Sequence, residues 1–502
     1  MTEQTVSPPA VRSAPSADGT GNNRWLILGV AGLAQLMVVL DATIVSIALP
    51  SAQRDLGFSN ADRQWVVTAY SLAFGGLLLL GGRLSDLIGR RRTFLIGLVG
   101  FAAASALGGA AVGFVMLATA RAIQGAFGAL LAPSALSILT TTFVEPSDRA
   151  KAFGVYGAIA GSGGAVGLLL GGVLTEYLNW RWCLYVNVAL AFVALVGALR
   201  LLVNQPRNPD VRLDPRGSVL AVSGLVAFVY GMSEAATDGW GAPLTVALIV
   251  GGVALLVGFV LVERRAEHPL LPLRVVLNRY RGGSYLSIGL TAIALFGIFL
   301  FLTYYLQLTL LYSPVKTGLA FLPLIGMVMV ASTVSTAVLL PRVGPRPLVP
   351  LGMLAAAAGV ALLRQIGLHT GYASGILPGL LLVGLGLGLV FGCAINTATF
   401  GARSEDAGVA SAMVNTSQQV GGSIGTALLN TIAASAVTSY ILVHGRSPES
   451  LAEAAVHSYV VSFTVVLGIF VVAAVVSAAV LPSGAPKPAI REAASEVAPV
   501  TA

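Results

Sequence analysis

WLILGVAGLAQLMVVLDATIVSIALP, Trp25 to Pro50, is apolar along nearly its whole length and carries one carboxylate, Asp41, past its middle. A helix needs about 20 predominantly apolar residues to cross a bilayer, so the stretch reads as a membrane span. A charge at that depth costs at least roughly 2.5 kcal/mol, so it is expected to face a cavity, a partner or a transported species. The rest of the chain repeats the pattern. Fourteen apolar stretches begin near residues 25, 65, 93, 114, 152, 182, 217, 244, 285, 317, 347, 375, 410 and 458. An even number of spans puts both ends on one side.

Composition agrees with this reading. Of 502 residues, 56% are hydrophobic and 10% charged, with a mean hydropathy of +0.86, whereas soluble domains carry roughly 25% charged residues. The expected fold class is therefore an all-α polytopic membrane protein. With the N-terminus inside, 22 of the 29 Lys and Arg residues fall in the tails and the even-numbered loops, and six fall outside. The last, Arg121, lies within a span. Positive residues are retained on the cytoplasmic side, so the net charge of +8 reports topology rather than nucleic-acid binding. Both termini are expected to be cytoplasmic.

The spans group as six, two and six. The expected organisation is a disordered tail over residues 1–23, a six-helix bundle over 24–203, a linker with two inserted spans over 204–282, a second six-helix bundle over 283–482 and a second disordered tail over 483–502. The first segment has no apolar core before Trp25 and so lacks the layout of a cleavable signal peptide. Arg-rich loops after the second and tenth spans occupy matching places in the two sixes, a symmetry typical of transporters built around a midplane site. Cys183 and Cys393 lie far apart with no metal-ligand spacing and read as buried small hydrophobes. The four His residues fall in or beside loops.

Four motifs stand out in the first half. LDATIVSIALP, Leu40 to Pro50, holds Asp41. Burial favours a neutral carboxylate and a nearby cation favours the charged one, so an acid here can exchange protons as access switches sides; the alternative is a structural Asp bonding a neighbouring helix. GGRLSDLIGRRR, Gly81 to Arg92, is a tight turn with an acid among bases, in which Asp86 and Arg90 are spaced to pair and Asp86 can also meet a helix N-terminus in the other bundle. RAIQGAFGALLAP, Arg121 to Pro133, places a cation inside the membrane, where it needs a partner; Asp41 is the natural candidate. The fifth span, Gly154 to Gly172, is rich in glycine, and spacing of four permits close helix approach.

These stretches, with NWRWCLYVN (Asn179 to Asn187), YYLQLTLLYSPVKTGLAFLP (Tyr304 to Pro323), GLGLGLVF (Gly384 to Phe391) and EDAGVASAMVNTSQQVGGSIGTA (Glu405 to Ala427), resemble the major facilitator superfamily, in particular its 14-span drug:proton antiporters of the EmrB/QacA type. The resemblance runs from about Trp25 to Leu481. It implies two six-helix bundles plus two inserted central helices, with Asp41 and Arg121 in proton coupling. Gly82, Asp86, Gly89, Arg90 and Arg91 fall on the superfamily's latch positions. Gly157, Gly161, Gly163, Gly167, Gly171 and Gly172 fall in its helix-bending antiport motif, but Leu168 stands where that motif has Pro. Simple close packing is the alternative reading of these glycines. Trp180, Trp182 and Tyr185 suit an interfacial anchor belt. Gln124, Gln307, Asn396, Asn415 and Gln418 are candidates for lining a substrate cavity, or for holding helices together.

The implied activity is proton-coupled efflux of small apolar or cationic drugs or antibiotics across a bacterial plasma membrane by alternating access. The partners are the small-molecule substrate, the lipid bilayer and protons, with no nucleic acid. No Walker loop is present, so no ATP and no other cofactor is expected, and the proton gradient drives transport. Arg outnumbers Lys by 26 to 3, a bias of high-GC coding such as that of actinobacteria. The competing function is a proton-coupled carrier of one endogenous metabolite, possible as an importer. An intramembrane enzyme is disfavoured by the absence of paired mid-membrane carboxylates, a His cluster or a nucleophile with its base.

Overall fold

The computed structural model describes residues 21–58, 60–203, 214–266, 269–400, 402 and 406–484. In chain order its helices are α1 (Gly21–Leu56), α2 (Asn60–Ile88), α3 (Arg90–Gly109), α4 (Phe114–Thr142), α5 (Pro146–Tyr177), α6 (Trp182–Leu201), α7 (Pro215–Thr237), α8 (Pro243–Glu263), α9 (Leu273–Leu277), α10 (Arg279–Tyr304), α11 (Pro314–Val334), α12 (Leu340–Val343), α13 (Pro345–Leu363), α14 (Leu377–Thr399), α15 (Ala407–His444) and α16 (Pro448–Val480). Three π-helical turns, Tyr305–Thr309, Ser335–Leu339 and Tyr372–Ile376, extend α10, α11 and the start of α14. Setting aside the short α9 and α12, fourteen long helices match the fourteen apolar stretches. Among the described residues, thirteen helical segments are long and apolar enough to cross a membrane, and α5 adds a shorter apolar stretch, Val166–Tyr177.

Local chemistry explains where several helices begin. Pro opens α5, α7, α8, α11 and α16, where its missing N–H leaves no bond unmade. Asp214, Asn278, Ser313 and Ser447 cap α7, α10, α11 and α16 by accepting backbone N–H groups, the role for which these residues are favoured. Helix α1 starts at Gly21. Residues 1–20, 204–213 and 485–502 lie outside the described residues.

The two sets of six pack alike. Within the first, α1 meets α4, α5 and α6, α4 meets α2 and α3, and α3 meets α6; within the second, α10 meets α14, α15 and α16, α14 meets α11 and α13, and α13 meets α16. The correspondence extends to single residues. Gly89, at φ 103°, separates α2 from α3, and Gly344, at φ 75°, precedes α13. Arg91 donates to the Leu199 carbonyl near the end of α6 at 3.4 Å, and Arg346 donates to the Ala478 carbonyl near the end of α16 at 3.1 Å. A cation at a helix C-terminus is favoured by the helix dipole.

Across the interface between the sets, α2 packs on α15 and α5 packs on α11, while α7, paired with α8, packs on α2 and α15. The sets touch at both ends. At the end bearing Arg83 and Arg90 to Arg92, Leu79 of α2 clusters with Val409 and Ala412 of α15, and Arg149 donates to the Thr399 carbonyl at 3.5 Å. At the opposite end Ile47 and Leu168 join the core of the second set, and Gly318 of α11 abuts Leu169 of α5.

Candidate functional site

The carboxylate that the first span carries is fully buried. Helix α1 directs Asp41 into the interior of its own bundle, where α4 and α6 supply donors. Asp41 Oδ2 lies 2.5 Å from Arg121 Nη1. Its Oδ1 accepts from Gln124 Nε2 and from Asn187 Nδ2, each at 2.7 Å. Arg121 and Gln124 sit one turn apart on α4, so one helix face presents both, and Arg121 Nη1 also donates to Gln124 Oε1 at 2.6 Å. Gln124 Nε2 reaches Ser105 Oγ of α3 at 2.8 Å, and Ser105 in turn donates to the Phe101 carbonyl at 2.7 Å.

Helix α2 completes the enclosure. The Arg121 guanidinium lies over the Tyr70 ring, 4.3 Å from its centroid, and Arg121 Nε donates to the Val66 carbonyl at 3.4 Å. Tyr70 stacks on Phe74 with ring centroids 5.6 Å apart. Two ions out of water need this degree of compensation: breaking such a pair strands a charge at a cost of roughly 3–5 kcal/mol. Five helices of the first bundle are thus tied to one ion pair. Asn187 Oδ1 and the Tyr70 hydroxyl are buried without a hydrogen-bond partner among the described residues.

Sequence reasoning named Asp41, Arg121 and Gln124 but missed Asn187, Ser105 and Tyr70. Asn187 closes the NWRWCLYVN stretch, and a lone amide in an otherwise apolar helix was the available signal. Ser105 offered none, because a Ser hydroxyl on a helix commonly bonds back to its own backbone, and Tyr70 offered none, because its large apolar ring suits ordinary core packing.

The latch residues gather at the Arg-rich end. Gly82 is buried in α2. Asp86 stands 3.9 Å from Arg90 Nη2 across the helix break, a charge contact too long for a hydrogen bond. Neither of its carboxylate oxygens has a hydrogen-bond donor among the described residues. At Gly89 the backbone adopts φ 103° and ψ 135°, a conformation suited to a residue without Cβ.

The glycines of α5 serve its contact with α1. A Cβ on Gly163 would meet Val39 at 2.9 Å, one on Gly167 would lie 2.8 Å from the Leu40 carbonyl, and one on Gly171 would meet Ile44 at 2.9 Å. These neighbours flank Asp41, so the small-residue stripe brings α5 against the backbone of the helix that carries the acid. Gly157 faces Ser332 of α11 more loosely, at 3.9 Å, and Gly172 is buried. Gly161 lies on the same helix, but its surroundings fall outside what is described. Helix α5 runs unbroken through Leu168.

Of the cavity candidates, only Gln124 joins the Asp41 network. Gln307 lies on the π-helical extension of α10, Asn396 on α14, and Asn415 and Gln418 on α15, all half-buried. Asn415 Nδ2 bonds back to Ser411 of its own helix at 3.1 Å. The aromatic belt needs one correction. Trp180 is buried, and its indole N–H donates to Asp55 at 2.9 Å, so it fastens helix ends rather than meeting lipid. Arg181 shares Asp55 at 3.1 Å and reaches the carbonyls of Gly109 and Ala111 at 3.0 and 2.6 Å. Trp182 remains exposed, with Tyr185 against it at 5.9 Å.

A Major Facilitator Superfamily model matches residues 31–426. The chain belongs to this superfamily. Among facilitator relatives, the puromycin resistance protein pur8 of Streptomyces alboniger is 53% identical over 474 residues, covering 94% of both chains. The cephamycin export protein CmcT of Amycolatopsis lactamdurans is 40% identical, over 81% of this chain and 85% of its own. The multidrug efflux pump LfrA of Mycolicibacterium smegmatis is 32% identical, over 89% and 88%. In fold, this facilitator matches the human organic anion transporter MFSD10 with a TM-score of 0.61 at 16% identity, over 90% of this chain and 99% of that one. It is a multi-pass membrane transporter rather than an enzyme.

Proposed function

We propose that this facilitator exports antibiotic-like small molecules from a bacterial cell in exchange for protons, with Asp41 as the proton carrier. The observation that carries the reading is the buried Asp41–Arg121 pair, held by donors from α4 and α6, in a transporter whose relatives are named for resistance and export. When Asp41 takes a proton it becomes neutral, and its attraction to Arg121 falls away. The Gln124 and Asn187 amides then lose a charged acceptor, which weakens bonds that join α1 to α4 and α6. Helix α5, seated on α1 beside the acid and on α11 across the interface, transmits the adjustment to the second bundle. Contacts at both ends of the interface must then open one set at a time, as alternating access requires.

Protons entering the cell supply the drive. One proton crossing about 100 mV gains roughly 2.3 kcal/mol, and one pH unit adds about 1.4 kcal/mol. The sum of roughly 3.7 kcal/mol sustains a gradient of a few hundredfold for a neutral solute exchanged one for one. No ATP, nucleic acid or other cofactor takes part. The Arg-rich end faces the cytoplasm, by the retention of positive residues there. Asp86, Arg90 and the Gly89 turn act as a latch at that end.

The test is proton movement in vesicles holding the purified protein, wild type and Asp41→Asn. A panel of lipophilic cationic and neutral drugs, puromycin first, is added across an imposed pH gradient. Drug-dependent flux in the wild type and none in the variant is expected. Equal flux in both would remove Asp41 from the mechanism; no flux with any drug would favour a single endogenous substrate.

A further inference from the structure

Helix α8 is the least covered of the long helices in its apolar stretch. Along it Val253, Val257 and Leu261 recur every four residues and are 45%, 53% and 55% exposed. With Phe228 of α7 and Val420 of α15 they line a groove of about 450 Å³ that is apolar except for Arg264 at one end. From Val253 to Arg264 the groove follows α8 for about 16 Å at 1.5 Å per residue. That is close to half of a hydrocarbon core of about 30 Å, the depth of one leaflet.

The mouth of the groove is basic. Arg264 and Arg265 are both exposed, and among the described residues neither makes an ion pair. Among the described residues the adjacent acid, Glu263, turns inward, is 4% exposed, and accepts the backbone N–H groups of Leu270 and Leu271 at 3.1 and 3.0 Å. An apolar channel one leaflet deep that ends on Arg264, with the exposed Arg265 next to it in sequence, matches an acyl chain below an anionic headgroup, and basic pockets between membrane helices bind such headgroups.

We propose that this groove binds one anionic phospholipid of the leaflet at the Arg264 end, its acyl chain along α8 and its phosphate on Arg264 and Arg265. The lipid would bridge the inserted pair to α15 and so couple the second bundle to the composition of that leaflet. The occupant is a resident of the bilayer and not the exported solute, since the groove opens outward and lies apart from the Asp41 network.

The full-length protein, delipidated in detergent, is titrated with dioleoyl phosphatidylglycerol or dioleoyl phosphatidylcholine and read by native mass spectrometry. Wild type should retain the anionic lipid preferentially. Arg264→Gln/Arg265→Gln should bind it roughly thirtyfold more weakly, at about 1 kcal/mol per cation, with binding of the zwitterionic lipid unchanged. Val257→Trp, which fills the groove and leaves the charges in place, should also lower retention. Circular dichroism on each variant separates lost binding from lost fold. Equal retention of the two lipids by wild type, or undiminished anionic retention in both variants, would overturn the proposal; displacement of bound lipid by an uncharged hydrophobic dye, with charge having no effect, would mark the groove as a solute site instead.

Discussion

Asp41 is held by three donors, one guanidinium and two amides. Replacing Asn187 with Leu removes one of them. That bond joins α6 to the acid on α1, so drug-driven proton flux in vesicles should fall while membrane insertion is retained. Unchanged flux would show that Asn187 plays no part in coupling. Leaving an acceptor short of a donor in a buried site also costs about 1–3 kcal/mol, visible as a lowered thermal midpoint. Arg121→Lys tests the geometry of the cation. Lysine keeps the charge but cannot serve Asp41, Gln124 and the Val66 carbonyl together while lying flat on Tyr70. Transport in proteoliposomes should fall at least tenfold with membrane insertion retained, and wild-type rates would show that charge alone suffices.

At the scale of the element, α5 separates two kinds of glycine on one helix. A side chain at Gly167 would run into Thr43 and the Leu40 carbonyl, and backbone cannot yield as a flexible side chain can. Gly167→Val should push α5 off α1, lower the thermal midpoint and abolish transport. Gly154, by contrast, has open space where its Cβ would be, so Gly154→Ala should be neutral or stabilising by up to about 1 kcal/mol through helix propensity. If both changes behave alike in a melting experiment, the α1–α5 contact is not what the glycines serve. The same logic applies at Gly89, whose φ of 103° is sparsely populated by other residues at roughly 1–3 kcal/mol. Gly89→Val should slow turnover in a transport assay while substrate binding persists.

For the whole molecule, alternating access needs the two bundles to part at each end in turn. Leu169 of α5 and Gly318 of α11 abut at the end away from the arginines, so the double variant Leu169→Cys/Gly318→Cys should form a disulfide under mild oxidation. The cross-linked protein should stop transporting, and a reductant should restore activity. Both native cysteines, Cys183 and Cys393, are buried and should not interfere. Continued transport by fully cross-linked protein would mean that this end does not open. In cells, an uncoupler should raise accumulation of an exported drug, because export stops when the proton gradient collapses.

Much of this was legible in the sequence, because membrane insertion depends on composition. Hydropathy located fourteen helices, since a span must be apolar over a known length. Asp41 and Arg121 announced themselves by their expense in lipid, and each implied the other because a buried charge needs compensation. Tertiary structure decided what a linear pattern does not encode. Asn187 and Ser105 belong to the Asp41 network because α6 and α3 pack beside α1 and α4, and nothing in their own spacing says so. Trp180 turned out to be a buried clamp on Asp55 because the helix ends converge there. Which glycines are obligatory likewise depends on the helix that lies opposite. A span is chosen by its own free energy of transfer, whereas a site is assembled from groups whose neighbours are distant in sequence and fixed only by packing.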